Sequence, residues 1–580
     1  MPTPPPSFRR NGTRSLALAD HIIETRAQVS DYLNAIGFRA CAVPSWIDNH
    51  RALAFEGTLG QGKQAEPVQV VITDWDFVDS PIVLLRQDSE LLRNPTNPHI
   101  GIYGHICYRT DGIGILNAHV PQNAVAACLR DAEEVVAQIK TGGKWTDAEI
   151  QREFEAYWKG VPLISCGLDF SKKEAKVFLP EGDSPPYGWI YQDVERARAI
   201  ARSMGVEPHP GGKVHLLKAR RSLSVGGAGG IPSNTKSLLN WLRCWDPVIH
   251  RDVIELISKK EFFQDASPRI IIQADNATIG FRILLDENSL KAFEDKAREF
   301  PHRLRHPYLP PIKIRRYGVA NASPEFIYSR NGQQSLGGKK ILLIGAGAIG
   351  GYLADNLVRM GAGHAGGRLT IIDPDTLLPG NLSRHRLGMD SVLNFKADAL
   401  AKRLDTEFPW LNIKPIHEDV LTYRGIFQAD LVIDATGDEA LGRAINRRHQ
   451  ALPADSSPPV LYCWVAGAGD GVQAIWVDAE RGHACLECLA HHDNQGNWTP
   501  RFKFLRGTTK LMFVGCAAVT PYAVSSAMTA AALASEMIGD WLTGNVNPRF
   551  RSRARSHGET HSIRDSSPDR LKECPACRRT

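Results

Sequence analysis

The chain has 580 residues, of which 43% are hydrophobic and 23% are charged, and its formal net charge is +6. At roughly 150 residues per domain, this length predicts about three or four globular domains. So small a net charge, without a concentrated basic stripe, argues against a nucleic-acid-binding protein, and no apolar run reaches the ~18 residues that a membrane span requires.

Two further features concern the compartment and the basic end of the chain. No apolar segment follows the charges in MPTPPPSFRRNGTRS, which is not typical of a secretory signal, so we expect a cytoplasmic protein. In a reducing compartment the 11 cysteines are expected to be metal ligands, nucleophiles or core residues rather than disulfides. The densest basic stretch, 549–555, predicts a solvated, mobile segment, with a binding tail as the alternative.

Residues 15–160 show the pattern of a compact α+β domain. A helical pattern runs from Ser15 to Gly37, three strand-like runs follow (ALAFEGTL, PVQVVITDW and PIVLLRQ), and the helix AVAACLRDAEEVVAQIK closes the unit. Between the strands and that helix lies NPHIGIYGHIC, which ends at Cys107. On its own, this cysteine is better explained as a packed structural thiol than as a nucleophile.

Residues 161–323 predict a middle α+β linker domain without a catalytic constellation. Strands are indicated at KVHLLKA and RIIIQAD, and WLRCWDPVIHRDVIELISKK predicts one helical stretch. The loop SVGGAGGIPS is rich in glycine, but no strand–glycine–helix pattern with a following Lys-Ser/Thr surrounds it. We therefore interpret it as a flexible loop rather than a phosphate-binding one.

Residues 324–580 alternate strands and helices, which predicts a Rossmann-type parallel α/β sheet. The first strand leads into GAGAIGG, where Gly345, Gly347 and Gly350 form G-x-G-x-x-G at the start of a helix. Glycines let the backbone approach a phosphate, and the helix N-terminus offers it unpaired N–H groups. Asp373 ends the next strand, where an acid that binds a ribose would lie. This pattern alone fits NAD oxidoreductases and other nucleotide-binding enzymes equally well.

The residues after Asp373 favour ATP chemistry over hydride transfer. Asn381, Arg384 and Lys396 follow it in one run, IIDPDTLLPGNLSRHRLGMDSVLNFKADALAKRL. A hydride-transfer enzyme has no need for this cluster, whereas an enzyme that reacts at the α-phosphate of ATP must neutralise the transition state and the pyrophosphate leaving group. Asp438, in DATGD at the end of a later strand, is placed to hold Mg²⁺.

From Arg330 to Cys577 the chain resembles the ThiF/MoeB and ubiquitin-activating adenylation family. The resemblance rests on GxGxxG, D-x-D, N-L-x-R, the downstream lysine and D-A-T-x-D. It implies that ATP·Mg²⁺ binds here, that Arg384 and Lys396 take part in catalysis, and that the activating domains pair as homodimers. The residues that it assigns to the nucleotide are Gly345, Gly347, Gly350, Asp373, Asn381, Arg384, Lys396 and Asp438, with Arg330 at the position of a phosphate-contacting arginine.

Four cysteines near the end of the chain have the spacing of a metal site. Cys485 and Cys488 form one CxxC pair, and Cys574 and Cys577 form another. Each pair supplies two thiolates with the bite that a tetrahedral metal needs, and the resembling family places two such halves across a similar gap. We therefore expect a structural Zn²⁺ that anchors the C-terminus, with two pairs of unbound thiols as the alternative.

Cys516 follows a short apolar run and precedes a helix rich in small residues. A thiol near a helix N-terminus is a better nucleophile because its thiolate is stabilised. Ubiquitin-like-activating enzymes that form a thioester have a cysteine in a similar setting. The resemblance implies that Cys516 is the activating-site nucleophile, and a small buried core residue is the alternative.

Because the chain also resembles an adenylating enzyme, the thiol of Cys107 has a possible role as a second acceptor of the activated group. NPHIGIYGHIC has the spacing of the ubiquitin-conjugating signature (H-P-N, four residues, Gly, any residue, Ile, Cys), and residues 15–145 resemble that family in architecture. The resemblance implies that Cys107 is a thioester nucleophile. His99 stands where that family has an asparagine that steadies the oxyanion, and an imidazole N–H can donate the same hydrogen bond. The alternatives for this role are His105 and a backbone amide.

A conjugating-like and an activating-like domain in one chain resemble bacterial fusion proteins of CBASS antiphage defence operons. That resemblance implies adenylation of the C-terminus of a cGAS/DncV-like nucleotidyltransferase, a thioester relay from Cys516 to Cys107, and transfer to a lysine of a target protein. The alternative carboxylate donor is a separate ubiquitin-like protein. The competing hypotheses are a sulfur-carrier adenylyltransferase of the ThiF/MoeB type, which leaves the first 320 residues unexplained, a non-catalytic adaptor, and an NAD dehydrogenase.

Overall fold

In the part of the chain that the structure describes, three large sheets follow one another along the sequence, and two further sheets have two strands each. Among the residues described, every helix is too short or too polar to traverse a lipid bilayer. The structure, a computed structural model, describes residues 20–94, 97–109, 114–180, 188–225, 230–265, 267–332, 334–478, 482–493, 495, 497–507, 512–514, 517–555 and 560–577.

The first sheet has four antiparallel strands that follow one another in chain order, and two helices pack against it. The second helix has Pro121 at its start and Gly142, with a φ of 64°, just after its end, which is the usual placement of these two residues. The elements are α1 (Asp20–Ala35), β1 (Arg39–Cys41), β2 (Leu53–Leu59), β3 (Glu66–Ile72), β4 (Ile82–Leu85) and α2 (Pro121–Thr141).

The second sheet closes into a seven-stranded barrel in the order β10-β11-β5-β7-β6-β8-β9, as numbered below. Aliphatic residues such as Val177, Ile190 and Ile271 are fully buried in one of its clusters, so this interior is packed. The elements of this region are α3 (Lys144–Arg152), α4 (Phe154–Trp158), β5 (Val161–Ser165), β6 (Glu174–Pro180), β7 (Gly188–Tyr191), α5 (Val194–Ser203), β8 (Pro208–Lys218), α6 (Thr235–Trp245), α7 (Pro247–Ile257), α8 (Lys260–Gln264), β9 (Arg269–Gln273), β10 (Thr278–Ile283), α9 (Glu287–Glu294), α10 (Phe300–Arg305) and β11 (Ile314–Asn321).

The prediction of one helix through WLRCWDPVIHRDVIELISKK is wrong, because the chain breaks at Asp246 into α6 and α7. Asp246 has an extended backbone, and its carboxylate accepts the N–H groups of Val248 and Ile249 at 2.9 and 3.3 Å. Pro247 then occupies the first turn, where its missing N–H costs nothing. Part of the predicted flexible loop SVGGAGGIPS, residues 226–229, lies outside the described residues.

The third sheet has seven strands in the order β14-β13-β12-β15-β16-β17-β22, of which the first five run parallel. The small-residue helix predicted before the C-terminus forms, and it packs its alanines into the core beside this sheet. The elements are α11 (Pro324–Ser329), β12 (Lys340–Ile344), α12 (Ala348–Arg359), β13 (Arg368–Ile372), α13 (Lys396–Glu407), β14 (Ile413–Ile416), β15 (Leu431–Asp434), α14 (Glu439–Gln450), β16 (Val460–Ala466), β17 (Gly471–Val477), β18 (Ala490–His492), β19 (Trp498–Pro500), β20 (Met512–Val514), β21 (Ala517–Val519), α15 (Val524–Leu542) and β22 (Phe550–Ala554).

The basic stretch 549–555 is not a mobile tail, and that prediction is wrong. Residues Phe550–Ala554 are the edge strand β22, paired antiparallel with β17. Arg549 and Arg551 are both buried, and each meets a carboxylate, Asp478 at 2.8 Å and Asp540 respectively. The arginines therefore face acids that belong to other elements of the fold, which a charge count along the chain does not reveal.

These sheets confirm the predicted fold class, a multidomain protein of α+β and α/β type with a C-terminal Rossmann-type region. The first sheet spans 39–85, the barrel strands span 161–321 and the third sheet spans 340–554. The exact division at residues 160 and 323 stays a prediction.

Candidate active sites

The glycine-rich turn and the two acidic strand ends meet at one edge of the third sheet. Strands β13, β12 and β15 are parallel neighbours, and they end at Ile372, Ile344 and Asp434. The residues that follow these strands therefore lie side by side, at the edge where open α/β sheets bind nucleotides.

Each of the three motif glycines has a distinct role in the turn. Gly345 has a φ of 89°, and a Cβ there would lie 3.2 Å from the Cα of Thr436 on the neighbouring strand end. A Cβ on Gly350 would lie 1.8 Å from the carbonyl oxygen of Gly345, so only glycine lets α12 approach the turn. A Cβ on Gly347 would meet nothing within 4 Å, so this position faces open space where a phosphate has room.

Asp373 ties the second strand end to the glycine-rich turn. Its Oδ2 accepts the N–H of Ala346 at 2.7 Å, and its Oδ1 accepts the N–H of Asp375 at 2.9 Å. Burial raises the pKa of the Asp373 carboxyl, and the hydrogen bonds from these two N–H groups oppose that shift. The carboxylate thus fixes the geometry of the turn as well as lying where the ribose acid is expected.

Of the predicted cationic side chains, Lys396 and Arg384 lie around the same edge, whereas Arg330 lies beside the far end of α12, where its neighbour Asn331 donates to the Arg359 carbonyl at 3.5 Å. Lys396 begins α13, is 12% exposed, and holds its Nζ 2.7 Å from Asp375 Oδ2. The Arg384 guanidinium lies over the ring of Tyr522 at 5.4 Å. Asn381 is used locally, since its Oδ1 accepts the N–H of Leu378 at 3.0 Å. Arg330 is exposed just beyond the end of α11.

Asp438, the predicted magnesium ligand, is the N-cap of α14. Its Oδ1 accepts the N–H of Leu441 at 3.0 Å, and the residue is exposed. This capping contact uses one of the two carboxylate oxygens, and the role of Asp438 as a magnesium ligand stays a prediction.

Two buried residues of this edge were missed from the sequence. Burial raises the pKa of Asp434 to about 6, and the side chain accepts the hydroxyl of Thr436 at 2.6 Å. His385 is buried between the Leu387 N–H, which donates to Nδ1 at 3.1 Å, and the carbonyl of Ala346, 2.7 Å from Nε2. Nothing in their spacing marks them, because burial here depends on strands far apart in the chain.

The four predicted metal-binding cysteines converge. All are buried, and their Sγ atoms lie within 4.8 Å of one another. The Sγ distances are 3.7 Å for Cys485 to Cys574, 3.5 Å for Cys488 to Cys577 and 3.9 Å for Cys485 to Cys488. Four thiolates around one zinc at about 2.3 Å stand about 3.8 Å apart, so these residues fit the ion. The N–H of Leu571 points at Cys488 Sγ from 3.4 Å, a contact typical of thiolate sites.

Cys107 is exposed and lines a cleft of about 1660 Å³. Ile106 donates its N–H to the carbonyl of Val83 at 2.8 Å, which attaches the loop to the edge strand β4. The N–H of Cys107 donates to the carbonyl of His99 at 2.8 Å, so the two residues of the predicted signature are joined through the backbone. The exposed rings of Trp46 and Tyr103 stack at 5.2 Å on the same cleft.

His99 is held by acidic side chains that the sequence did not connect with it. Its Nε2 lies 3.2 Å from Glu149 Oε2, and its Nδ1 lies 3.3 Å from Glu153 Oε1 at ion-pair distance without a well-aligned hydrogen bond. The main-chain N–H of His99 donates to the hydroxyl of Tyr157 at 3.2 Å. Because both nitrogens already face carboxylates, the oxyanion role of this imidazole stays a prediction.

Cys516 lies outside the described residues. Strand β21 and four further residues stand between position 516 and the first residue of α15 at Val524, so the cysteine does not directly precede the helix in sequence. Its role as the activating-site nucleophile stays a prediction.

Comparisons with known proteins agree with this arrangement. The ThiF family model matches residues 320–576, and the model of Prokaryotic E2 family B matches residues 45–161. The two matches confirm the predicted union of a conjugating-like and a ThiF-like region.

Similar proteins cover most of the chain. The ATP-dependent ubiquitin transferase-like protein Cap2 of Pseudomonas aeruginosa is 30% identical over 489 residues, which are 83% of this chain and 86% of that protein. Cap2 of Vibrio cholerae is 24% identical, over 81% of this chain and 85% of that protein. The crystal structure of E. coli MccB with ATP covers 41% of this chain and 66% of its own, with 17% identity and a TM-score of 0.31.

Proposed function

Because this chain belongs to the family of ATP-dependent ubiquitin transferase-like Cap2 proteins, and is therefore an activating and conjugating enzyme, we propose that it carries one acyl group from ATP-driven activation to an amine. A C-terminal carboxylate of a protein is adenylated at the edge of the third sheet. The acyl group then passes to Cys516, to Cys107 and finally to a lysine of a target protein.

The observation that carries this proposal is the exposed thiol of Cys107 in a large cleft, on a chain that also gathers the nucleotide-binding motifs at one sheet edge. Of the other described cysteines outside the four-cysteine group, Cys41, Cys128, Cys166 and Cys463 are at least partly buried. Cys244 is exposed but lies on α6 of the barrel and is not part of the conjugating signature.

Each step of the relay balances in atoms and charge. A carboxylate oxygen of the donor attacks the α-phosphorus of ATP and pyrophosphate leaves, while Lys396 and Arg384 neutralise the developing charge. Asp438 would hold the Mg²⁺ that accompanies the phosphates. The Cys516 thiolate attacks the acyl-adenylate carbonyl and AMP leaves; the Cys107 thiolate then displaces that sulfur. Finally the lysine amine forms the C–N bond, the C–S bond breaks, and the proton goes to a neighbouring base or solvent.

The donor that we propose is the C-terminus of a cGAS/DncV-like nucleotidyltransferase, which conjugation would prime in CBASS antiphage defence. The support is the similarity to Cap2 proteins over 83% of the chain. A separate ubiquitin-like protein is the other donor to be tested.

We also propose that Zn²⁺ occupies the four-cysteine group, on the strength of its sulfur spacing. An exposed apolar group between β13 and α13 supports pairing of two activating regions, since such a group is costly in water and a second copy would cover it. It consists of Leu378, Met389, Leu393 and Phe395, which are 51%, 73%, 73% and 42% exposed.

The test is a thioester assay with ATP, Mg²⁺ and each donor, resolved on non-reducing gels. Cys516→Ala should stop every step after adenylation. Cys107→Ala should leave a thiol-sensitive adduct on the activating region but no conjugate, and Cys244→Ala should behave as the unmodified enzyme. Conjugation that persists without Cys107 and Cys516 rejects the relay. Zinc that stays bound after Cys485→Ser combined with Cys574→Ser rejects the metal assignment.

A further inference from the structure

Helix α4 belongs to the barrel on one face. Phe154 and Trp158 are both completely buried in the barrel's hydrophobic cluster. The indole Nε1–H of Trp158 donates to the carbonyls of Gly280 and Tyr317 at 3.2 and 3.1 Å, and these residues belong to β10 and β11. The Trp158 ring also lies 5.4 Å from that of Trp241 on α6. The helix is therefore fixed to two barrel strands and a barrel helix.

The opposite side of the same segment faces the thiol cleft. Glu153, which precedes α4, and Tyr157, within it, both line the cleft that Cys107 lines. The Tyr157 hydroxyl donates to Glu153 Oε2 at 3.1 Å and accepts the N–H of His99 at 3.2 Å. Glu153 Oε1 in turn lies 3.3 Å from His99 Nδ1. Burial raises the pKa of the Tyr157 hydroxyl, and the Glu153 charge adds to the shift, so this group stays a neutral donor.

His99 needs such support because of its backbone. Its φ is 60°, in the left-handed region that L-residues with a side chain rarely adopt. The carbonyl of this strained residue accepts the N–H of Cys107 at 2.8 Å. Whatever fixes the peptide of His99 therefore also fixes the backbone of the thiol-bearing residue.

We propose that Glu153 and Tyr157 are positioning residues of the conjugating site, and that the barrel, through α4, holds the His99–Cys107 loop in its reactive geometry. Tyr157 acts on the main-chain N–H of His99, whereas Glu153 acts on its imidazole. The middle barrel is then a working part of the conjugating site rather than a spacer. This inference rests on the proposed function, because it assumes that Cys107 carries the acyl group.

Two other roles for the acids fit the geometry less well. A metal is one such role, since His99, Glu149 and Glu153 each offer a ligand atom and the three atoms lie within 4.8 Å of one another. Both acids are already engaged, however, because Glu149 pairs with Arg152 and Glu153 accepts the Tyr157 hydroxyl. The other role is direct binding of the ammonium of the incoming lysine by Glu153. In that case the contacts of Glu153 with Tyr157 and His99 would have no function. The experiment below separates this direct role from positioning.

The test is a double-mutant cycle on the full chain, read as single-turnover discharge of a preformed Cys107 thioester to free lysine. Glu153→Gln should lower the maximal rate about tenfold with an unchanged KM for lysine, because a misplaced reacting group costs rate. In a His99→Asn background, where no imidazole remains, Glu153→Gln should change the rate less than about twofold. Tyr157→Phe should still slow discharge in that background, since the main-chain N–H persists.

Three outcomes would overturn the inference. One is an undiminished effect of Glu153→Gln beside His99→Asn, because Glu153 would then not act through the imidazole. Another is a raised KM for lysine, because Glu153 would then act on the amine itself. The third is unchanged discharge in both Glu153→Gln and Tyr157→Phe. Glu155→Gln, which lines the same cleft, is the matched control and should leave discharge unchanged. ATP–pyrophosphate exchange and thermal unfolding verify that the variants stay folded, and failure of the unmodified enzyme to form a thioester on Cys107 would instead reject the proposed function.

Discussion

The nucleotide edge of the third sheet and the Cys107 cleft are built in different ways. At the nucleotide edge, main-chain geometry does most of the positioning, since parallel strands end together and glycines open the turn. At the cleft, the main chain attaches the thiol loop to β4, but its His99 is held from outside the sheet by side chains of α3 and of the segment that leads into the barrel. The first site therefore tolerates changes elsewhere in the chain, whereas the second depends on a neighbouring region.

The largest expected effect tests whether the two regions are chemically separate. Lys396→Ala should lower ATP–pyrophosphate exchange by about 10²–10³, because a cation beside the reacting phosphates is lost. The rate at which iodoacetamide alkylates Cys107 should not change, since Lys396 contacts Asp375 and nothing in the cleft. Lys402→Ala, a change on the same helix α13, is the control. Altered alkylation in Lys396→Ala would show that the two regions are coupled in the resting enzyme.

The second effect separates folding from binding within the nucleotide edge. Gly350→Ala should destabilise the protein by about 3 kcal/mol, because its Cβ would lie 1.8 Å from the Gly345 carbonyl oxygen. Gly347→Ala should leave the free energy of unfolding within about 0.5 kcal/mol and lower ATP affinity, because its Cβ meets only open space. Denaturant unfolding and ATP titration measure the two quantities. Equal stability losses in both variants would contradict the role given to backbone geometry.

The same contrast decides what could be predicted from the sequence. The three motif glycines, Asp373 and Lys396 lie within one continuous stretch of the sequence. Short motifs at successive strand ends therefore predict them. Cys107 was found by spacing, but Glu153 and Tyr157 were not, since their contact with His99 spans the gap between two folded regions. The buried Arg549, Arg551 and His385 were missed for the same reason, as their partners come from other elements or turns of the fold.

A smaller effect tests the cleft with the same kind of substitution. Gly104 has a φ of 80°, and a Cβ there would lie 2.9 Å from the carbonyl oxygen of Leu85 on β4. Gly104→Ala should slow discharge of the Cys107 thioester about tenfold while ATP–pyrophosphate exchange stays normal. Gly62→Ala, at a φ of 58° with nothing within 4 Å, is the control for backbone strain alone. Equal slowing in both variants would mean that strain, not displacement of the thiol loop, is responsible.

The smallest expected effect concerns pH and the histidine of each region. His385 lies between two backbone groups, and burial lowers its pKa, whereas His99 lies between two carboxylates. A histidine whose pKa is lowered by folding contributes stability above its unfolded pKa of about 6.5, and that contribution is lost as the pH falls below this value. The melting temperature of the unmodified protein should therefore fall between pH 7.5 and 5.5 by about 2 °C more than that of His385→Gln.

The control is His417→Gln, which removes an exposed histidine of the same region and should retain the full pH dependence. If His385→Gln retained it as well, the imidazole of His385 would have to accept its second proton on Nδ1 despite the Leu387 N–H that donates to this atom, and this part of the nucleotide edge would be less rigid than its hydrogen bonds indicate.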